Sequence, residues 1–190
     1  MYRHIQALVL GALIYSLPAA ALEIGGIEVA ETISSADNKT TLLLNGAGLR
    51  EKFYIDVYVG ALYLPAKTTD AHAILSDEGP ASVLMHILHS EISKQKLTDG
   101  WTDGLDANLS KDERQEIRPR LDAFNKLFTA AHKGDVLGIE YTPERGTEVH
   151  INGEWRGAVA GNDFFRALLK IWLGPNPVSK SLKQDMLGNH

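Results

Sequence analysis

The sequence predicts an α+β fold in which helices cover one face of a mostly antiparallel sheet. Three observations support this class. Groups of strands and groups of helices follow one another along the chain, neighbouring strands are close enough in sequence to form hairpins, and the predicted helices each carry an apolar side. With 190 residues and no cysteine, we expect one domain that does not rely on disulfides.

The first segment, Met1–Ala21, has the features of a secretory signal peptide. Arg3 and His4 provide a basic start, residues 5–17 are apolar, and small residues close the segment. We expect cleavage after its last residue, a mature domain over residues 22–190, and export to a bacterial periplasm. The apolar stretch is short for a bilayer span, and residues 22–190 contain no apolar stretch long enough to cross a membrane. No integral span is therefore expected after cleavage.

The first half of the domain is dominated by strands. Leu22–Ala30 predicts a hairpin around Gly25-Gly26, and Ser34–Thr40 is a polar turn. Two longer strands follow, Thr41–Leu49 and Phe53–Leu64. In the second, odd positions are mostly aliphatic, whereas even positions combine tyrosines with a carboxylate, so its two faces meet different environments.

The middle of the chain is mainly helical. A short helix over Thr69–Glu78, a strand over Ala81–His89 and a helix over Ser90–Asn108 are predicted. Ser110 begins a capping box, and the helix that it opens has one apolar side: Ile117, Leu121, Phe124, Leu127 and Phe128. Pro119 should kink or break this helix.

The chain ends with strands and then helices. The predicted strands are Val136–Tyr141, Thr147–Ile151 and Glu154–Val159. Asn152-Gly153 is typical of a two-residue type I′ turn between the last two strands. Asn162 is predicted to cap a core helix over Asp163–Leu173, and Val178–Leu187 is a short terminal helix.

Arg50 is the first candidate for function, because it stands at the head of a strand rich in β-branched and aromatic residues. An arginine there can hold a carboxylate or enolate at one end of an apolar pocket. The alternative is a surface arginine paired with a carboxylate such as Glu51. Tyr58, in the same hairpin, can share one carboxylate with Arg50 or be an ordinary core tyrosine. The residues alone leave both questions open.

Several site classes are not expected. His86 and His89 are three apart on one predicted strand, so they face opposite sides and cannot chelate one ion. Gly46 and Gly48 precede a strand instead of a helix, which disfavours a dinucleotide site and suggests a bend, a bulge or a close approach to the backbone. The net charge of −5 and the absence of a basic stripe argue against nucleic acid. We therefore expect no metal, cofactor or nucleic-acid partner.

Four features occur in one order across residues 22–187: the Arg50 hairpin, the Gly134-Asp135 strand entry, the Asn152-Gly153 turn and the closing helix Phe164–Gly174. So arranged, they resemble the chalcone isomerase-like family, most of all its exported bacterial branch. The resemblance implies an open-faced β-sandwich, with a large curved antiparallel sheet, a layer of helices on one face and a ligand cleft between the layers.

The resemblance is closer to fatty-acid-binding members of this fold than to its enzymes. Of the residues that plant chalcone isomerases use, only the arginine is matched, by Arg50. The other positions fall on Tyr58 and near Ser93, Gly100 and Arg166, so efficient flavanone formation is not expected.

The binding members pair an arginine with a tyrosine at the Arg50 and Tyr58 positions. The resemblance thus implies a non-catalytic periplasmic protein that binds a fatty acid or a similar carboxylate-bearing apolar ligand. Further expected wall residues are Leu97, Trp101, Phe165, Leu168 and Leu169. Two alternatives stay open. One is an isomerase or intramolecular lyase for an enone or phenolic compound, with Arg50 stabilising an oxyanion and Tyr58 as the acid. The other is a partner-binding domain with Arg50 paired internally and a filled cleft.

Overall fold

The computed structural model describes residues 21–189, so the predicted signal peptide, except its last residue, lies outside the described residues. The strands are β1 (Ala21–Ile24), β2 (Ile27–Ala30), β3 (Thr32–Ser34), β4 (Thr41–Lys52), β5 (Ile55–Leu64), β6 (Ala81–Ile87), β7 (Glu91–Ile92), β8 (Ala131–His132), β9 (Val136–Thr142), β10 (Gly146–Ile151) and β11 (Glu154–Val159). The helices are α1 (Ala71–Ser76), α2 (Lys94–Asn108), α3 (Lys111–Lys126), α4 (Asn162–Leu173) and α5 (Lys180–Met186). Among the described helices, none is long and apolar enough to cross a bilayer.

Seven strands form one curved antiparallel sheet in the order β11-β10-β9-β6-β5-β4-β3. The five helices contribute their buried side chains to a core on one face of this sheet. The β1–β2 hairpin lies on the other face and covers a smaller apolar cluster with β4 and β5. The predicted α+β class, with helices on one face of a large antiparallel sheet, is confirmed.

The alternation in β5 separates these two cores. Tyr58 and Leu62 belong to the main core under the helices, whereas Val59, Ala61 and Tyr63 belong to the smaller cluster. The sequence predicted two environments for this strand, and the structure confirms them. Because side chains alternate between the faces of a strand, Tyr58 and Val59 lie on opposite faces, and the packing of the helices decides that the Tyr58 face meets the helix layer.

Helix α5 packs directly on the backbone of β4. A Cβ atom at Gly46 would overlap the carbonyl of Asp185, and one at Gly48 would overlap the Asp185 side chain. Asn45, in a bulge of β4, donates from Nδ2 to the carbonyl of Met186 at 2.8 Å. The two glycines therefore serve a close backbone approach, one of the roles predicted for them.

The structure differs from two sequence predictions about helix ends and breaks. Pro119 does not break α3, which runs without interruption through it. The capping box at Ser110 fixes the first turn, and Ile117 and Leu121 bury the turns on either side of the proline. Asn162 does not cap α4: Gly161 occupies the N-cap, and the Asn162 side chain accepts a hydrogen bond from Arg166 Nε at 3.0 Å.

The turn between β4 and β5 also differs from expectation. Phe53 was predicted to start the second strand, but Phe53 and Tyr54 form a two-residue turn with φ angles of 52° and 63°. Both angles are positive, as a type I′ turn requires. The predicted helix from Ser90 likewise begins later, at Lys94, because residues 91–92 pair with β8 and Ser93 caps the helix.

The contact between α5 and β4 predicts opposite effects of alanine at two glycines. Gly46→Ala should destabilise the fold by about 1–3 kcal/mol, because the backbone of α5 must move away. Gly100→Ala is the matched control: its Cβ would meet nothing within 4 Å, and an alanine inside α2 should stabilise by about 0.5–1 kcal/mol. Urea unfolding measures both. Equal stability of the two variants would show that α5 does not constrain Gly46.

Candidate ligand-binding site

Arg50 and Tyr58 are direct cross-strand partners in the β4–β5 pair. Directly opposed residues place their side chains on the same face of a sheet, and both residues line one cavity under the helices. The register shifts immediately beyond them, so that Val57 forms a bulge in β5. Val57 lines the same cavity, as expected where a bulge re-aims a side chain.

The Arg50 guanidinium has no carboxylate partner within the described part of the chain. Its Nη1 donates to the backbone carbonyl of Glu51, and no acid between residues 21 and 189 lies within salt-bridge distance. The alternative in which Glu51 neutralises Arg50 is therefore not what the structure shows, because the contact is to a carbonyl group. Arg50 keeps a full positive charge and further donors.

Tyr58 is held by a hydrogen bond from the helix layer. Trp172 in α4 donates from Nε1 to the Tyr58 hydroxyl oxygen at 3.0 Å, and both side chains are buried. Burial raises the pKa of Tyr58 to about 12, although the Trp172 hydrogen bond and the nearby Arg50 charge act in the opposite direction. Tyr58 thus stays a neutral hydroxyl near pH 7, and its own O–H remains available to donate.

The inner cavity, defined by the residues that line it together with Arg50 and Tyr58, has a volume of about 140 Å³. Its other walls are mostly apolar and come from β5, β6, β7, α2, α4 and the loop before α5: Val57, Met85, Ile92, Leu97, Trp101, Ile171 and Val178. Lys52 and Lys96 also border it. An apolar pocket with a few convergent polar groups is the usual form of a small-molecule site.

An adjoining outer cavity of about 450 Å³ shares part of this wall, including Lys52, Lys96 and Val57. Ile92 and Gly100 are shared as well, and the remaining lining is mixed in polarity: Phe53, Ile55, His89, Asp99 and Asp103. The inner cavity alone is below the ~300–1,000 Å³ range of small-molecule sites, whereas the outer cavity falls within it.

The predicted wall residues divide into two groups. Leu97 and Trp101, both on α2, line the inner cavity beside Arg50 and Tyr58. Phe165, Leu168 and Leu169 line neither cavity and are completely buried in the main core. Helix α4 is buried over most of its circumference, so its apolar pattern could not indicate which side meets the cavity.

The structure adds wall residues that the sequence reasoning missed. Ile171 on α4, Met85 on β6 and the bulged Val57 depend on packing and register. Trp172 had a sequence signal, since it ends the aromatic stripe of the closing helix, but that stripe is more often plain core. Its indole N–H reaches the site only because α4 belongs to the helix layer on the sheet face that Tyr58 occupies.

The positions that the resemblance assigns to an enzyme's hydroxyl groups lie elsewhere or carry no hydroxyl. Ser93 caps α2 by accepting a hydrogen bond from the backbone N–H of Lys96. Gly100 lines both cavities without a side chain. Arg166 lies outside both cavities and donates to the carbonyls of Ile74 and Gly79.

The histidines occupy separate positions. His89 borders the outer cavity, whereas His86 pairs with Val59 and Val136 in the sheet. Within residues 21–189, no group of three His, Asp or Glu side chains is placed to hold a metal ion.

Comparisons with known proteins agree with this architecture. The family model described as "Chalcone isomerase-like" matches residues 21–188. Among solved structures, the chain is similar to a fatty-acid binding protein from Arabidopsis thaliana, with a TM-score of 0.63 and 14% identity over 84% of this chain and 97% of that one. At that identity the likeness concerns the fold. A comparison with curated proteins found no significant match.

The buried Tyr58 predicts a specific loss of stability at high pH. Its pKa of about 12 in the folded protein lies above the unfolded value of 10. The contribution of the Tyr58 proton to the free energy of unfolding is therefore complete below pH 10 and is lost as the pH rises through 12. Between these pH values, the free energy of unfolding should fall by about 1.4 kcal/mol per pH unit more in wild type than in Tyr58→Phe. Urea unfolding from pH 8 to 12 measures the difference. Parallel curves would mean that Tyr58 ionises freely in the folded protein.

Proposed function

The chain belongs to the chalcone isomerase-like family, and from that premise we propose that it binds a fatty acid or a similar carboxylate-bearing apolar ligand without transforming it. One observation carries the proposal. Arg50, which has no acidic partner between residues 21 and 189, stands directly opposite Tyr58 in the wall of an apolar cavity.

The head group is held by charge and hydrogen bonding together. A ligand carboxylate would accept from the guanidinium of Arg50 and from the neutral hydroxyl of Tyr58. Trp172 holds the Tyr58 oxygen by a hydrogen bond from its indole N–H. A hydrogen bond to a charged group contributes about 1.5–3 kcal/mol, and the apolar surroundings reduce competition from water.

The apolar part of the ligand is held by the remaining wall. Each methylene removed from water contributes about 0.8 kcal/mol. The inner cavity of about 140 Å³ accommodates the head group and a short segment beside Leu97 and Trp101, and a longer tail extends along the outer cavity past Val57 and Ile55. The similarity in fold to a fatty-acid binding protein of Arabidopsis supports this ligand class.

The site is poorly equipped for the isomerase alternative. A tyrosine whose pKa is raised to about 12 is a weak general acid near pH 7, since efficient acid–base groups have a pKa close to the working pH. Gly100 and the capping Ser93 supply no hydroxyl to the inner cavity. Binding, without chemistry, is therefore the function that this arrangement favours.

Removing the Arg50 charge tests the proposal. Arg50→Gln should weaken the affinity for a fatty acid about 10–150-fold, because a charged hydrogen bond is lost. The matched primary alcohol, which has no carboxylate, should bind both proteins equally. Displacement of a fluorescent fatty-acid analogue measures both ligands. Arg156→Gln is the control, because Arg156 is paired with Glu154 on the far strand β11.

Two results would contradict the head-group assignment. If Lys96→Gln weakens binding more than Arg50→Gln does, the carboxylate lies at the shared rim of the two cavities instead of beside Tyr58. If neither fatty acids nor other amphiphiles bind or raise the melting temperature of wild type, the proposed function itself is wrong.

We further propose that residues 1–21 are a signal peptide and that the protein acts in a bacterial periplasm, as the basic start and apolar stretch indicate. Expression of the full chain in a bacterium should yield a product that begins at Leu22 and is released with the periplasmic fraction. Intact mass measurement identifies the terminus. A product that retains residues 1–21 and stays in the spheroplasts would contradict this proposal.

A further inference from the structure

We propose that the tip of the β4–β5 hairpin, formed by Phe53, Tyr54 and Ile55, docks on a lipid bilayer beside the mouth of the outer cavity. This lipid-docking tip would let an apolar ligand pass between membrane and cavity. The role in ligand transfer rests on the proposed function, whereas the docking itself can be tested without any ligand.

The backbone of the tip is unusual for its residue types. The other two-residue hairpin turns of the described chain use Gly25-Gly26 and Asn152-Gly153, with positive φ at both positions. Phe53 and Tyr54 adopt the same left-handed region, at 52° and 63°, which bulky residues disfavour. The turn therefore presents two aromatic rings at a position where turn geometry alone favours Asn or Gly.

These rings are not part of either hydrophobic core. Tyr54 is 100% exposed, Phe53 is 84% exposed and the adjacent Ile55 is 51% exposed. The Phe53 ring makes a cation–π contact with its neighbour Lys52, at 5.9 Å. Three consecutive exposed apolar side chains at a hairpin tip indicate a surface that is covered in the functional state of the protein.

The tip adjoins the ligand path. Phe53 and Ile55 line the outer cavity, together with Lys52 and Lys96, whereas Tyr54 lines neither cavity. An exposed aromatic ring beside a lysine, as Phe53 is beside Lys52, is typical of side chains that settle at the boundary between lipid head groups and acyl chains. A bilayer that covers this tip would therefore meet the opening of the outer cavity.

The size of the tip favours a bilayer over a protein partner. Three side chains on a narrow turn fall well short of the roughly 800 Å² per partner of a standard protein interface. A weak and reversible membrane contact needs only a few inserted apolar groups. Because the chain carries a net charge of −5, broad electrostatic adsorption to acidic lipids is disfavoured, and insertion of the tip must supply the contact.

Tyr54→Gly tests the docking, because it removes the ring and gives the turn a residue suited to positive φ. In flotation with vesicles of phosphatidylethanolamine and phosphatidylglycerol, without ligand, wild type should bind and Tyr54→Gly should bind about tenfold less. Trp155→Ser is the control: Trp155 is 59% exposed but lies on β11, at the opposite edge of the sheet, so its loss should leave vesicle binding unchanged.

A second variant tests the docking by a gain of signal instead of a loss of vesicle binding. Tyr54→Trp should retain vesicle binding and add fluorescence that brominated lipids quench more strongly than they quench wild type. Equal vesicle binding by wild type and Tyr54→Gly, or no added quenching in Tyr54→Trp, would overturn the docking. The docking would also be overturned if wild type does not bind vesicles and position 54 crosslinks to another protein. That result would assign the tip to a protein partner.

Ligand measurements separate this inference from the proposed function. Tyr54→Gly should bind fatty acid in solution as wild type does, but should take it from vesicles more slowly. Vesicle binding by wild type without any fatty-acid binding would retain the docking and reject the proposed function. Fatty-acid binding with the same transfer rate in both proteins would retain the function and reject the role of the tip in transfer.

Discussion

The candidate site depends on the hydrogen bond that Trp172 donates to the Tyr58 hydroxyl across the interface between helix α4 and the sheet. Both groups are buried. In a buried environment an unpaired N–H costs free energy, whereas a hydrogen-bonded one fixes the relative positions of the two side chains. The Trp172 ring also lies 6.0 Å from that of Trp101 on α2. Three elements thus meet at one point, and the hydroxyl is held on the same sheet face as Arg50.

The β4–β5 hairpin departs from regular strand geometry wherever the site requires it. Bulges at Asn45 and Val57 interrupt its register. The first lets Asn45 hydrogen-bond to the end of α5, and the second brings Val57 and Tyr58 to the same cavity. At the tip, Phe53 and Tyr54 occupy a turn that smaller residues prefer. Such departures from local preference concentrate at functional sites, where a close approach or an exposed side chain outweighs regularity.

Much of the fold could be predicted because its signals are local. The two faces of β5, the Asn152-Gly153 turn and the capping box at Ser110 all follow from residues within a few positions of one another. The incorrect boundaries have tertiary causes. Pro119 remains within α3 because Ile117 and Leu121, two positions before and after it, are buried. Asn162 does not cap α4 because its side chain accepts a hydrogen bond from Arg166 instead.

By itself, the sequence determined the α+β class, the alternation that gives β5 two different faces, and the pairing of Arg50 with Tyr58 as candidate residues. Only the tertiary structure decided that Leu97 and Trp101 line the inner cavity while Phe165, Leu168 and Leu169 do not. The same holds for the absence of an acid beside Arg50 within residues 21–189 and for the role of Trp172. Strand periodicity is a property of neighbouring residues, whereas the contents of a cavity depend on how α2 and α4 pack across a bulged sheet.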